Sequence, residues 1–356
     1  MKETILAHVT AHPSMTEQDM IKLCYQAVFG AEHLLTDRAK ALAYFEYEWN
    51  NTPEKEMPLF EPLSIRYARI HLAAWKHQRL PADWLFRIFY MTASSPSGAS
   101  DSDLNTLLDV IDELADQKSL PFAAAEWRAA RNNYLRNGGG AVHHSEKYRN
   151  AEHPAYRVID RRYIALIPLL TKIAKIQPSQ GETATIAIDG RAASGKTTLA
   201  QMLANILDAG VVHMDDFFLP PELRTQERLA EPGGNVHYER FVRQVIPHLK
   251  NNGTFDYPTF DCSKMQLDGV RNVSAGQWRV VEGSYSHHPK LSRHMDLRVF
   301  CLVSPEEQMR RILTRNGETM AKMFAERWIP MEERYFNTFH IAEDADIIID
   351  TEEKPL

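Results

Sequence analysis

Eight consecutive residues, Gly190-Arg191-Ala192-Ala193-Ser194-Gly195-Lys196-Thr197, spell a G-x-x-x-x-G-K-T pattern. Glycine at the fixed positions lets backbone N–H groups converge on one point. A helix N-terminus just beyond them favours negative charge there, so the pattern suits a chain of phosphates. Lys196 has the reach for β- and γ-phosphates, and the Thr197 hydroxyl is of the type that ligates Mg2+. The apolar run 184–188 supplies a strand leading into the loop. Residues 198–207, with Leu199, Met202, Leu203 and Ile206 at helical spacing, supply the helix leading out. Gly190 and Ala192 through Thr198 are therefore expected to wrap the phosphates of ATP and its Mg2+.

Phosphoryl transfer also needs an acid near the acceptor hydroxyl and cations for the moving charge. Two apolar runs each end in acid: 211–214 delivers Asp215 and Asp216, then Phe217 and Phe218, and Val280-Val281 delivers Glu282, then Gly283. Asp216 suits a helix or turn cap, and the two phenylalanines suit packing, with one free to wall an acceptor site. Residues 305–317 (PEEQMRRILTRNG) place Arg310, Arg311 and Arg315 within about one and a half helical turns. They read either as a lid whose guanidinium groups hold phosphate oxygens, Arg311 and Arg315 foremost, or as a solvated face paired with Glu306 and Glu307. Arg327 is a further candidate.

Asp215-Asp216-Phe217-Phe218, Pro232-Gly233-Gly234-Asn235 with Tyr238-Glu239, Tyr257-Pro258-Thr259-Phe260-Asp261 and Val281-Glu282-Gly283 follow the glycine loop in a fixed order. In this order the chain resembles the uridine kinase-like P-loop kinases over residues 183–352, about half its length. The resemblance implies that Asp215 is the catalytic base and approaches the metal. It also implies that Glu282 helps hold Mg2+ through water, and that an arginine-bearing lid closes over ATP. On the acceptor side it points to Asp215, Phe218, Tyr257 and Phe260. The chain departs from the uridine kinases in having Phe260 where they carry tyrosine, and in having no histidine within 261–268. It implies as acceptor a hydroxyl of a small metabolite, a nucleoside such as uridine or a nucleoside-like compound.

Two domains are expected from 356 residues. Up to residue 178 the chain reads as helix after helix: Ser14 and Glu17 cap a first one that stops at Gly30, and Leu63, Tyr67, Ile70 and Ala74 carry helical spacing. Helices are also expected around Leu85–Phe89, after the loop 94–101, over 122–136 and over 156–176. After the polar stretch 177–183, strands (185–188, 210–213, 278–281, 297–303, 345–349) alternate with helices, and 254–260 with 270–274 form a hairpin. The expected architecture is an α/β P-loop kinase domain over 182–356, a parallel sheet covered by helices, preceded by an all-α domain over 1–178.

A net charge of −6 argues against general binding to nucleic acid or acidic membranes, and three scattered cysteines form no disulfide or zinc pattern. The opening residues do not read as a signal peptide, and no run approaches about 18 apolar residues, so a cytoplasmic protein is expected. In the first half, Arg128, Arg131, Arg136, Lys147, Arg149, Arg157, Arg161 and Arg162 form a basic stretch interleaved with aromatics. It reads as an ion-paired helix face before an anion-binding one. His143, His144 and His153, and Glu32 with His33, read as satisfied side chains before metal ligands. Effector sensing, dimerisation or completion of an acceptor pocket are the open roles of that half. A nucleotide switch is the alternative from another class, although no N-K-x-D tetrapeptide is present. A kinase of nucleic-acid ends is a third reading.

Overall fold

The protein is described by a computed structural model covering residues 1–31, 37–179 and 181–352. Glu32 and His33 lie outside the described residues. The chain divides into two compact units, 1–167 and 168–356. The division falls ahead of the polar stretch 177–183, because Leu169, Leu170 and Ile173 are already buried and Lys172 Nζ donates to the Asp346 carbonyl of the second unit at 2.8 Å.

The first unit is mainly helical. The helix Glu17–Phe29 is opened by a capping box of Thr16 with Asp19, not of Ser14 with Glu17. Ser14 instead donates to Glu152 at 2.6 Å. Gly30, at φ 63°, closes the helix as expected. The all-α expectation is corrected by a small antiparallel sheet, β1 (Phe60–Pro62), β2 (Tyr67–His71) and β3 (Tyr156–Asp160), in that order. Every residue of β2 is buried, so neither face alternates in polarity, and its apolar residues mimic helical spacing. The expected helix 156–176 is likewise β3 followed by a 3-10 turn and the helix Ile167–Ile173. Four cations of the basic stretch are paired within this unit: Arg131 with Asp109 and Asp112, Arg128 with Asp116, Arg157 with Glu48 and Arg162 with Asp160.

In the second unit β4 (Ala184–Gly190), β5 (Gly210–His213), β8 (Trp278–Glu282), β9 (Leu297–Leu302) and β10 (Ile347–Asp350) form one parallel sheet, ordered β10-β9-β4-β8-β5. The expected strands all appear. β6 (Phe255–Asp261) and β7 (Gln266–Val273) pair as the expected antiparallel hairpin. β4 is buried along its whole length, which is why it reads as an uninterrupted apolar run. The acids Glu282 and Asp215 end or follow the strands β8 and β5, next to the loop that follows β4, at the carboxyl edge where such sheets bind ligands. Among the described residues, no helix is long and apolar enough to cross a membrane.

Gly190 is where the sheet turns into the glycine loop. Its φ is 140°, and a Cβ there would lie 2.2 Å from the Cys301 carbonyl oxygen. Backbone strain and overlap with the neighbouring strand therefore act together. Gly190→Ala is expected to cost on the order of 3 kcal/mol. Thermal unfolding measures it, and an unchanged melting temperature contradicts this close approach.

Candidate active site

The loop 190–195 runs from β4 into the helix Lys196–Leu207, with Gly195 at φ 85° as its N-cap. The first N–H groups of a helix have no intrahelical partner, and here they open toward a cleft of about 1060 Å3. Ala192, Ala193, Ser194, Gly195, Lys196, Thr197 and Thr198 line it, together with Asp215, Phe218, Glu282, Arg311, Arg315 and Arg327. Lys196 Nζ folds back onto the carbonyls of Gly190 and Arg191, both at 2.8 Å. Its ammonium thus lies inside the loop. The Ser194 hydroxyl is buried without a hydrogen-bond partner.

Opposite the loop stands a set of carboxylates. Glu282 accepts from Thr197 Oγ1 at 3.2 Å and contacts His213 Nδ1 at 2.5 Å, so the last residue of β8 is shared between the loop and β5. Asp215 is exposed to the cleft while protein surrounds it on the other sides. That desolvation, and then the Glu282 carboxylate, push its pKa up, while Lys196 opposes the shift. Glu332, on the helix Ile329–Phe339, accepts from Ala192 N at 3.0 Å and Ser284 Oγ at 2.7 Å. Burial raises its pKa. A hydroxyl and several crowded carboxylates beside an anion cradle fit a hard divalent cation, which takes oxygen ligands and relieves their mutual repulsion.

Asp189 forms the floor. It is fully buried and accepts from Gly190 N at 2.7 Å, Tyr285 N at 3.2 Å, His287 N at 3.0 Å and Tyr335 OH at 2.9 Å. Its carboxylate thus ties the loop to the segment after Glu282 and to the helix bearing Glu332.

Several expected roles change. Asp216 caps nothing; its carboxylate accepts from Tyr257 OH at 2.9 Å and Arg271 Nε at 2.7 Å. Tyr257 is therefore fully buried and also accepts from His213 N at 3.1 Å, so it braces the turn carrying Asp215 and does not line the cleft. Phe260 is buried in the hairpin and is not a cleft residue either. The hairpin faces the cleft with Cys262, Ser263 and Met265 instead.

Arg311 spends its guanidinium on Glu307 at 2.7 Å, the Ala193 carbonyl at 3.3 Å and Thr351 at 3.0 and 3.1 Å. It lines the cleft while bracing the loop through the Ala193 carbonyl. Arg315 is exposed at the cleft, contacting Asn316 at 2.8 Å, and Arg310 pairs with Glu307 away from it. The helix Pro305–Met323 is broken at Gly317 (φ 76°, ψ 173°), so the part bearing Arg315 ends at a backbone joint.

Sequence reasoning missed Asp189, Glu332, Arg224 and Asn235. The last two line the cleft, and Asn235 Oδ1 is buried with no partner. Burial, and then the charge of Arg327, lower the pKa of Arg224. Two guanidinium groups thus share one region.

No protein-family model matches the chain. Uridine-cytidine kinase C of Dictyostelium discoideum is 25% identical over 142 residues, 39% of this chain and 31% of that protein. The matched segment thus spans less than a third of that relative. A structure from Bacillus stearothermophilus described as a possible uridine kinase is 22% identical, covering 53% of this chain and 98% of its own, with a TM-score of 0.41. D-glycerate 3-kinase from Cryptococcus neoformans is 16% identical, covering 48% and 86%, with a TM-score of 0.35. Over 142 residues, then, the chain is similar to a uridine-cytidine kinase.

Because the fold raises the pKa of Asp215, ionising this group costs stability. Removing the charge relieves that cost, fully above the folded pKa and not at all well below the unfolded one. Asp215→Asn should thus melt no lower than the parent at pH 8, with any advantage vanishing toward pH 3. In a carboxyl NMR titration the Asp215 midpoint lies above the ordinary aspartate value of about 3.9 and moves down in Glu282→Gln. A midpoint at or below the ordinary value contradicts this electrostatic picture.

Proposed function

We propose that the chain is an ATP- and Mg2+-dependent kinase that phosphorylates a hydroxyl group of a small metabolite, a nucleoside or nucleoside-like compound. The observation that carries the reading is one cleft in which a phosphate loop with an inward lysine faces Asp215 across Glu282. The partial similarity to a uridine-cytidine kinase supports the acceptor class.

In this mechanism the loop N–H groups and Lys196 hold the β- and γ-phosphates, and Thr197 with Glu282 would hold the metal. Mg2+ supplies charge neutralisation on the phosphates. Asp215 takes the proton of the acceptor hydroxyl as that oxygen bonds to the γ-phosphorus, while the bond to the ADP oxygen breaks. A pKa raised above the usual aspartate range makes Asp215 a stronger base for that proton. Arg315 meets the transferring charge, and Met320, Met323 and Trp328 on the same side keep water out. Asn235 offers a buried acceptor oxygen to the acceptor molecule.

Arg224 and Arg327 favour a second acceptor class, a hydroxy acid or sugar phosphate whose anionic group answers two guanidinium groups. Incubation with ATP, Mg2+ and a panel of nucleosides, hydroxy acids and sugar phosphates separates the two, read by mass spectrometry as gain of one phosphoryl group. Asp215→Asn is expected to bind ATP within a few-fold of the parent and to transfer roughly 10^2- to 10^4-fold more slowly. ATP hydrolysis that needs a protein partner and yields no phosphorylated product supports the nucleotide switch instead. Transfer to oligonucleotide ends supports the third reading.

A further inference from the structure

We propose that His8, His12 and Glu61, in the first unit, bind one divalent transition-metal ion of the zinc class. His8 and His12 lie four residues apart, in and just after the helix Lys2–Ala11, and so share one face of it, while Glu61 stands on β1. One donor atom from each of the three lies within 4.8 Å of the other two. None of these residues belongs to the cleft described above, which is lined from the second unit.

The hydrogen bonding leaves an electrostatic gap that a cation fits. His8 Nε2 lies 2.7 Å from the Pro62 carbonyl oxygen, which can only accept, so the ring proton sits on Nε2. In an imidazole that carries its proton on Nε2, Nδ1 presents a bare lone pair. That lone pair faces Glu61 Oε2 at 3.7 Å, and neither atom has a hydrogen-bond partner, although His8 is 4% exposed. Two buried acceptors confronting one another are costly unless a proton or a metal lies between them. Ligands at about 2.0–2.1 Å from a tetrahedral zinc are about 3.3 Å apart, so the 3.7 Å separation needs only a small adjustment.

The surroundings match the needs of such a site. His12 Nε2 meets Glu61 Oε1 at 2.7 Å, and its Nδ1 meets Glu152 Oε2 at 3.2 Å, the outer carboxylate that orients a metal-bound imidazole. His71 Nε2, 3.4 Å from Glu61 Oε1, brings a further imidazole. Arg69 Nη1, 4.0 Å from Glu61 Oε2, opposes the cation, but the guanidinium is turned to Gln26 Oε1 at 3.1 and 2.8 Å and stacks on Tyr156. Imidazole nitrogen with one carboxylate selects zinc, cobalt or nickel over magnesium and calcium, which prefer oxygen. By contrast, His144 is satisfied on both nitrogens, by Asp19 at 2.8 Å and Tyr156 at 2.6 Å.

The test uses the full chain, stripped with chelator and titrated with Zn2+ by calorimetry in excess Mg2+, which occupies oxygen-rich sites. One equivalent should bind and raise the melting temperature. Co2+ in its place should give a visible absorption band characteristic of nitrogen and oxygen ligands. His12→Gln and Glu61→Gln, checked as folded by circular dichroism, should weaken binding at least tenfold, while His153→Asn, at an exposed position, should not change it. Absence of saturable binding by the parent overturns the proposal, as does parent-like binding in both folded variants.

Discussion

The second unit is organised around one buried carboxylate. Asp189 receives hydrogen bonds from the first residue of the phosphate loop, from two backbone N–H groups just after Glu282, and from Tyr335. A hydrogen bond to a charged group contributes roughly 1.5–3 kcal/mol, and removing a partner from a buried one costs more than the bond contributes. Three chain segments are thereby held to one point. Glu282 lies one residue before the turn that Asp189 holds, and Glu332 lies one helical turn before Tyr335, so the spacing of the acids around the loop follows from this contact. The positions of Thr197, Glu282 and Ala192 relative to one another are not independent of it.

A second constraint aims Asp215. The turn after β5 is clamped by its neighbour Asp216, which Tyr257 and Arg271 hold from the hairpin, while Arg240 bonds the Asp216 carbonyl and stacks on Phe217 at 4.3 Å. Consecutive residues on a tight turn point in different directions. With Asp216 turned inward and satisfied, Asp215 is left facing the cleft with its charge uncompensated by any direct ion pair among the described residues. Placing one acid in structure and the adjacent acid in the cleft is a division that either carboxylate alone would not make.

The strand–glycine loop–helix order and the five strands were legible because their signals are local: a glycine spacing, and apolar runs buried on both faces. Asp215 and Glu282 were legible because strand-end acids beside such a loop are few. The roles of Tyr257 and Phe260 were misread because motif order says nothing of which way a hairpin side chain turns; burial of the hairpin's inner face decided it. β2 and β3 were read as helix because burial of all of β2 and all but the first residue of β3 removes the alternation that marks a strand. Asp189 and Glu332 left no readable trace, since their partners are up to 146 residues distant. The four-residue spacing of His8 and His12 was visible in the sequence, but gained meaning only when β1 brought Glu61 beside it.

A structure of the complex with a non-hydrolysable ATP analogue and Mg2+ tests the central claim most directly. The account predicts the β-phosphate among the N–H groups of residues 193–197, Lys196 released from the carbonyls of Gly190 and Arg191, and Asp215 directed at the space beyond the γ-phosphate. A nucleotide bound elsewhere, or an Asp215 turned out of that space with the loop occupied, would contradict it.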